Sequence, residues 1–396
     1  MITFDAAQAL LAGAVQPLPA EDVPLIEADG RVLAEPVRAA LDAPRRAVSA
    51  MDGYALRDAD AAIGATLRVI GESFAGGALP PPLGAGECVR IFTGAALPDG
   101  ADRVIMQENC TADAGAMTIA REYGPGWHVR AAGSDFRAGD LLLPAGRLLD
   151  PGAIVTLAGA DRDRALVHAA PRVALIATGD ELTAPGTARD NPLTIPESVS
   201  FGVAALARQH GARIAARLRG TDDLAALTAL AGQALEQADV VIVTGGASVG
   251  ERDFAKPMFA AHGLELLFPK VAIKPGKPVW LGRASGRWVL GLPGNPTSAM
   301  VTARLFLAPL LAALQGRDPA AVLNWQDHPL SAPLPATGDR ETFWRARGLA
   351  DGLEPVRNQD SGAQATLAAA QWLIRRAADS PALDAGQPVS ALRIWP

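Results

Sequence analysis

Two stretches, RVALIAT (172–178) and DVVIVT (239–244), are apolar at nearly every position over the length of a strand. Unbroken runs of this kind read as strands covered on both faces, not as half-exposed ones. Between them the pattern changes. ESVSFGVAALARQHG (197–211) and DDLAALTALAGQALEQ (222–237) space their apolar residues three and four apart, as helices do, with Thr221 placed to cap the second. RIAARL (213–218) reads as a further strand. A third helix is expected near Lys256–His262, then strands around Leu264–Phe268, Val279–Gly282 and Trp288–Leu292. Pro296 opens a long helix to about Leu314, closed by Gly316, with proline at the first turn and glycine past the last. Strand–helix alternation predicts a doubly wound α/β sheet, mostly parallel, whose ligands lie outside the carboxyl ends of its strands.

The flanks have other textures. TFDAAQALLAGAV (3–15) is an amphipathic helix with Thr3 as N-cap and Gly13 near its end. From 25 to 150, β-prone pieces such as Thr66–Ile70, Cys88–Phe92 and Arg103–Gln107 alternate with turns, the proline-rich run 79–86 among them. Beyond 320, strands such as ETFWRARGL (341–349) and PVSALRIW (388–395) suggest a small β domain.

A length of 396 residues suits two to four domains, and 49% hydrophobic with 20% charged residues suits a chain able to bury large cores. A net charge of −6 argues against a general nucleic-acid binder. No basic residue precedes Arg31, unlike a secretory leader, and no unbroken apolar run approaches a membrane span. Cys88 and Cys110 form no CxxC pair, which fits a reducing compartment; a cytoplasmic protein without a membrane partner is expected. One oddity changes the picture. Of 36 basic side chains only four are lysine, and all four crowd together as Lys256, Lys270, Lys274 and Lys277. A compact ammonium meets phosphate as a point charge, whereas arginine offers a planar fork.

Three glycine-bearing loops follow strands directly: TGDEL (178–182), TGGASVGERD (244–253) and LPGNPTSA (292–299). The second and third are expected to lead into helix N-termini, where free N–H groups favour an anion. KVAIKPGKP (270–278) lies nearby. Neither GxxxxGK[ST] nor GxGxxG is present, so a P-loop kinase and a Rossmann dehydrogenase lose their main support. Gly246-Ala247-Ser248-Val249-Gly250 matches the GxSxG elbow of serine hydrolases, with Asp327 and His328 downstream. An acidic and basic continuation and the lack of an oxyanion loop make Ser248 read better as a loop residue. Asp52, Asp135, Asp180, Glu181, Asp222 and Asp253 sit among glycine and serine at turns, as hard oxygen ligands for Mg²⁺ shared with a phosphate-bearing substrate would. The five histidines have no zinc-ligand spacing.

Taken in order, SAMDGYAL (49–56), IFTGAALPDGADRVIMQE (91–108), GSDFRAGD (133–140), TGDEL, TGGASVGERD, KVAIKPGKP and LPGNP resemble the motifs of the molybdopterin molybdenumtransferases. These are bacterial molybdenum-insertion enzymes, similar to the insertion domain of gephyrin. The resemblance implies an α/β multidomain fold and an elongated homodimer. Residues 1–24 with 46–53 and 138–170 would form a helical linking domain, and 25–45 with 54–137 a β-rich domain. Residues 171–315 would form the molybdopterin-binding module and 325–396 a C-terminal β-barrel. The cleft would lie between the α/β module of one subunit and the β-rich domain of its partner. The implied reaction inserts molybdate into adenylylated molybdopterin and releases AMP.

Carried over motif by motif, the catalytic set would be Asp52, Thr93, Asp135, Glu181, Asp222, Asp253, Lys270 and Lys274. Substrate would be held by Thr178, Gly179, Asp180, Ser198, Gly245, Gly246, Ser248, Gly250, Lys277, Pro293, Gly294, Asn295, Pro296, Arg345 and Ser361, with Mg²⁺ on Glu181 and Asp253. A molybdopterin adenylyltransferase and client molybdoenzymes are implied partners. Two features depart from the family. Its usual Asn-Ser-Asn, at the head of the helix after TGDEL, is here Glu197-Ser198-Val199, and AAAQWLIRR (368–376) replaces a more apolar ending. An adenylyltransferase and a cofactor carrier of low activity therefore stand as alternatives to insertion, although an adenylyltransferase would need only the α/β module.

Overall fold

The computed structural model describes residues 1–245 and 254–395. Its central sheet has strands β1 Arg172–Thr178, β2 Arg213–Gly220, β3 Val240–Thr244, β4 Glu265–Phe268, β5 Trp280–Ala284 and β6 Arg287–Leu292, in spatial order β2-β1-β3-β6-β5-β4. β2, β1, β3 and β6 run parallel. Alternate residues of the two apolar runs feed two different cores. Val173, Leu175, Val240 and Ile242 meet Val203 and Leu305 on one face. Ala174, Ile176, Val241 and Val243 meet Leu227, Ala231 and Phe259 on the other. That double cover is why these runs carry no polar alternation.

The parallel order ends at β6, because Ser285 and Gly286 both take positive φ (47° and 75°) and fold β5 back antiparallel to β6. Such a two-residue turn suits the strand twist. Helix Val199–Gln209 follows β1, and helix Leu224–Gln237 follows β2. The cap of the latter is Asp223, which accepts from Ala226 N, and not Thr221. Thr221 lies two residues too early and instead accepts from Asp223 N through its carbonyl (2.8 Å). The helix expected at 256–262 is a 3-10 turn over Pro257–His262, too short to focus a dipole on the loop before it. Pro296–Leu314 is helical throughout, with a π turn at Ala303–Leu307. This helix of 19 residues is apolar enough to cross a bilayer, yet it is buried over its apolar span, as a core helix of the domain.

The β-rich region is a curled six-stranded sheet in the order Arg103–Met106, Gly53–Leu56, Glu87–Ile91, Thr66–Ser73, Ala116–Ile119, Cys110–Asp113. Cys88 lies buried within it, its thiol pushed up to about 12 by burial. The partition around this sheet differs from the one read in the sequence. Val37–Arg38 pairs with Leu141–Leu143, and Leu33 bridges Val167 and shares a core with Leu149 and Leu157. Val48–Ser49 pairs with Val129–Arg130, and Gly53–Leu56 is an inner strand. Residues 31–39 thus side with 139–168, and 48–56 with the β-rich sheet. Long-range pairing of short strands decides this, and no local pattern encodes it. Ala20–Pro24 pairs with Arg164–His168. Helix Phe4–Ala14, however, packs elsewhere. Its Phe4 ring meets Phe306 at 5.7 Å and Phe343 at 5.1 Å.

The C-terminal region is a ring of strands. Glu341–Leu349 pairs with Trp372–Arg376, then Pro388–Arg393, then Gln326–Pro329, while Gly352–Pro355 adds to the first. A bridge from Leu330 to Leu353 closes it. One further strand, Ile273–Lys274, reaches across from the α/β region and pairs in parallel with Glu341–Thr342.

Candidate active site

A cleft of about 690 Å³ opens at the carboxyl ends of the parallel strands. β1 delivers Thr178, Gly179 and Glu181, and β3 delivers Thr244 and Gly245. β6 delivers Pro293, Gly294, Asn295 and Pro296, and the loop after β2 delivers Asp222. The sequence reading placed all of these in the site except Thr244. The loops nest closely. Gly245 has φ +97°, and a Cβ there would stand 2.5 Å from the Thr178 carbonyl oxygen. Thr178 Oγ1 donates to the Thr244 carbonyl (3.3 Å), and Asp222 N donates to Asp180 Oδ1 (3.0 Å). Asp180 is therefore a brace between two loops and does not itself line the cleft.

The third loop ends in a helix that Pro296 opens, with Asn295 at the N-cap position. Its N-terminal end borders the cleft. Pro296 has no N–H and Thr297 N donates to the Ser361 carbonyl (3.1 Å), so the helix dipole, more than a row of free N–H groups, is what favours an anion there. The fourth wall is the crossing segment Ile195–Val199, where Ser198 presents a half-buried hydroxyl. Glu197, beside it, is 7% exposed.

The C-terminal region contributes Gly362 and Gln364. Their loop is fixed by Arg345, whose guanidinium is buried and donates to Thr297 Oγ1, Thr366 Oγ1 and the carbonyls of Asn358 and Asp360. Ser361 holds the other side, accepting from Asn295 Nδ2 (3.0 Å). Neither Arg345 nor Ser361 lines the cleft. They join the loop to the head of the Pro296 helix, so both act on the site through other residues. Burial lowers the Arg345 pKa.

Asp52, Thr93 and Asp135 lie on the β-rich region and do not line this cleft. Asp52 Oδ1 accepts from Thr93 N (2.7 Å) and Thr93 Oγ1 (2.8 Å). Those two bonds, the backbone one foremost, hold its carboxyl below the usual range, with Arg90 assisting. Asp135 is exposed in a turn.

Of the lysine motif, Pro278 lines the cleft, while Lys270, Lys274 and Lys277 stand outside its wall. Lys274 and Lys277 are exposed and have no side-chain hydrogen bond or ion pair among the described residues. Lys256 is different, since its Nζ donates to the Pro269 carbonyl (3.3 Å). Gly246, Ser248, Gly250 and Asp253 lie outside the described residues. The hydrolase partners Asp327 and His328 sit on the C-terminal strand Gln326–Pro329, the His328 ring 4.4 Å from that of Trp372, away from the cleft.

Among the described residues, no three His, Cys, Asp or Glu side chains could hold a metal between them. Glu181, Glu197 and Asp222 line the cleft, and the one expected from the sequence to hold Mg²⁺ is Glu181. It folds over Gly179, where a Cβ would stand 2.6 Å from its oxygen. One carboxylate with substrate phosphates is enough for Mg²⁺, which keeps most of its water. The sequence reading missed Thr244, Glu197, Pro278, Gly362 and Gln364. Each stands within three residues of one it chose, and adjacency was the only signal available.

A family model described as the MoeA N-terminal region (domain I and II) matches residues 2–160, and one described as a probable molybdopterin binding domain matches 174–313. A molybdopterin molybdenumtransferase from Nostoc sp. is 36% identical over 84% of this chain and 78% of its own. Another, from Haemophilus influenzae, is 37% identical over 80% and 78%. A crystal structure of the molybdopterin biosynthesis moeA protein from Pyrococcus horikoshii superimposes with TM-score 0.85 at 25% identity, covering 99% of this chain and 100% of that one.

Proposed function

The chain belongs to the molybdopterin molybdenumtransferase family, and from that membership we propose how its cleft serves the reaction. The protein is a transferase of molybdenum cofactor biosynthesis that inserts molybdenum into molybdopterin. Its substrates are taken to be adenylylated molybdopterin and molybdate, with AMP released as the metal enters the dithiolene. Matches to residues 2–160 as well as to the α/β module support insertion over simple adenylylation.

The observation that carries this reading is the cleft itself: glycine loops from β1, β3 and β6 converge on the head of the Pro296 helix. Two anions, a pyrophosphate and an oxoanion, must share one space, so their repulsion has to be screened. The positive end of the Pro296 helix favours one. Lys274 and Lys277, exposed and without internal partners among the described residues, reach toward the other on flexible stems. Glu181, with Asp253 as the second carboxylate expected from the sequence, would hold Mg²⁺, and the ion would supply charge neutralisation for the phosphates. Asp180 keeps the Asp222 loop in place through the latter's backbone N–H.

Asp52, Thr93 and Asp135 enter as residues of a second copy, in a homodimer whose β-rich region covers the cleft. The cytoplasm is the compartment proposed, where the free thiols Cys88 and Cys110 stay reduced. Purified protein with adenylylated molybdopterin, Mg²⁺ and molybdate should release AMP only when molybdate is present. AMP release indifferent to molybdate, or adenylylation of the pterin from ATP, refutes the assignment.

A further inference from the structure

Helix Val199–Gln209 begins with a division of labour between two neighbouring side chains. Ser198 occupies the N-cap position, from which a serine ordinarily accepts a hydrogen bond from the second or third backbone N–H of the helix. It makes no such bond, and its hydroxyl has no partner among the described residues. Instead it lines the cleft. Glu197 does the capping. Its Oε1 accepts from Ser200 N (2.7 Å), and its Oε2 accepts from Ser200 Oγ (2.6 Å).

A nearly buried carboxylate needs a countercharge. Arg217 on β2 supplies it, with Nη2 3.4 Å from Glu197 Oε2. Arg217 also donates to Ser200 Oγ from Nε (3.0 Å) and Nη2 (2.8 Å), and its guanidinium lies 3.4 Å over the Phe201 ring. Three bonds that the Glu197 carboxylate accepts, from Ser200 N, Ser200 Oγ and Arg217 Nη2, thus go to the helix start and to β2.

We infer that Glu197 is a positioning residue. By capping Ser200 N in place of Ser198, it frees the Ser198 hydroxyl to meet substrate in the cleft, and Arg217 holds it there. This rests on the reading of the cleft as the molybdopterin site. Without Glu197, Ser200 N–H loses its acceptor, and Ser198, at the N-cap position, is the residue placed to replace it. It turns back to cap the helix and leaves the cleft.

The test is a double-mutant cycle on the full-length protein in the molybdate-dependent AMP-release assay. Ser198→Ala should raise KM for adenylylated molybdopterin roughly fivefold to tenfold, the worth of one hydrogen bond, with kcat little changed. Glu197→Ala should do the same, and the double variant should be no worse than either alone. Glu197→Gln, which keeps one capping oxygen, should remain near wild type. If Glu197→Ala fails to fold, Glu197→Met, which keeps the side chain's length and has no capping oxygen, replaces it in the cycle. Additive losses overturn the inference, because a general structural role would not depend on Ser198. So does Glu197→Gln behaving like Glu197→Ala. An unchanged KM in Ser198→Ala also overturns it, while wild-type molybdate-dependent turnover would leave the reaction assignment standing. Loss of that wild-type turnover would strike the assignment instead.

Discussion

Asp52 shows how far a single residue can be read. Its place among glycine and serine marked it as more than solvated surface, but its partner Thr93 lies 41 positions away, so the bond between them is a product of the fold. Both donors stabilise the ionised carboxylate, so the folded pKa lies below the unfolded one. The sign follows from linkage. Asp52 favours the native state fully above its unfolded pKa, and that advantage fades as pH falls through the lowered folded value. Thr93→Val removes the hydroxyl donor and keeps the backbone one. The Asp52 carboxyl should then titrate at higher pH, closer to the ordinary aspartate value, when followed by carbon NMR. An unmoved titration would mean that the hydroxyl contributes nothing. Arg345 teaches the converse. Its family position suggested a ligand contact, and only burial and four acceptors show that it grips protein instead. Sequence carries the identity of a residue but not the direction its side chain takes.

Elements were more legible than their partnerships. β1 and β3 could be placed almost to the residue, because two-sided burial demands unbroken apolar runs. Pro296 and Gly316 bounded the long helix for reasons local to its ends. The short strands 37–38, 48–49 and 129–130 were assigned to the wrong neighbours or missed, since two-residue pairings have no periodicity to detect. Arg345 operates at this scale. It ties the loop at 358–366 to Thr297, one residue past the proline that opens the helix. Arg345→Met keeps much of the volume and leaves several buried acceptors unpaired. Such a loss should cost about 3 kcal/mol and lower the melting temperature by several degrees. KM should rise as well, since Gly362 and Gln364 would lose their anchor. A variant with unaltered melting and KM would remove Arg345 from the site's support.

At the scale of the whole molecule, the cleft and the Asp52–Thr93 pair stand on different regions, and the pair does not line the cleft of its own chain. A site completed by a second copy predicts complementation. Glu181→Ala and Asp52→Ala protomers, each inactive alone, should regain roughly a quarter of wild-type turnover when unfolded together and refolded. Half of the random dimers are then mixed, and each mixed dimer holds one intact site. No recovery would place both residues in one chain's site, or Asp52 in none.

The strand Ile273–Lys274 carries a consequence for how the protein matures. It belongs by sequence to the α/β region but finds its partner, Glu341–Thr342, only in the last domain. Synthesis proceeds from the N-terminus and domains fold largely as units. The α/β sheet can therefore form on the ribosome while the lysine segment, already bridged to Ile2, still lacks its second partner strand. Gly362 and Gln364 of the cleft wall, like the partner of Ile273–Lys274, exist only once the final region has emerged, so a nascent or prematurely terminated chain would hold an unfinished cleft beside an unpaired strand.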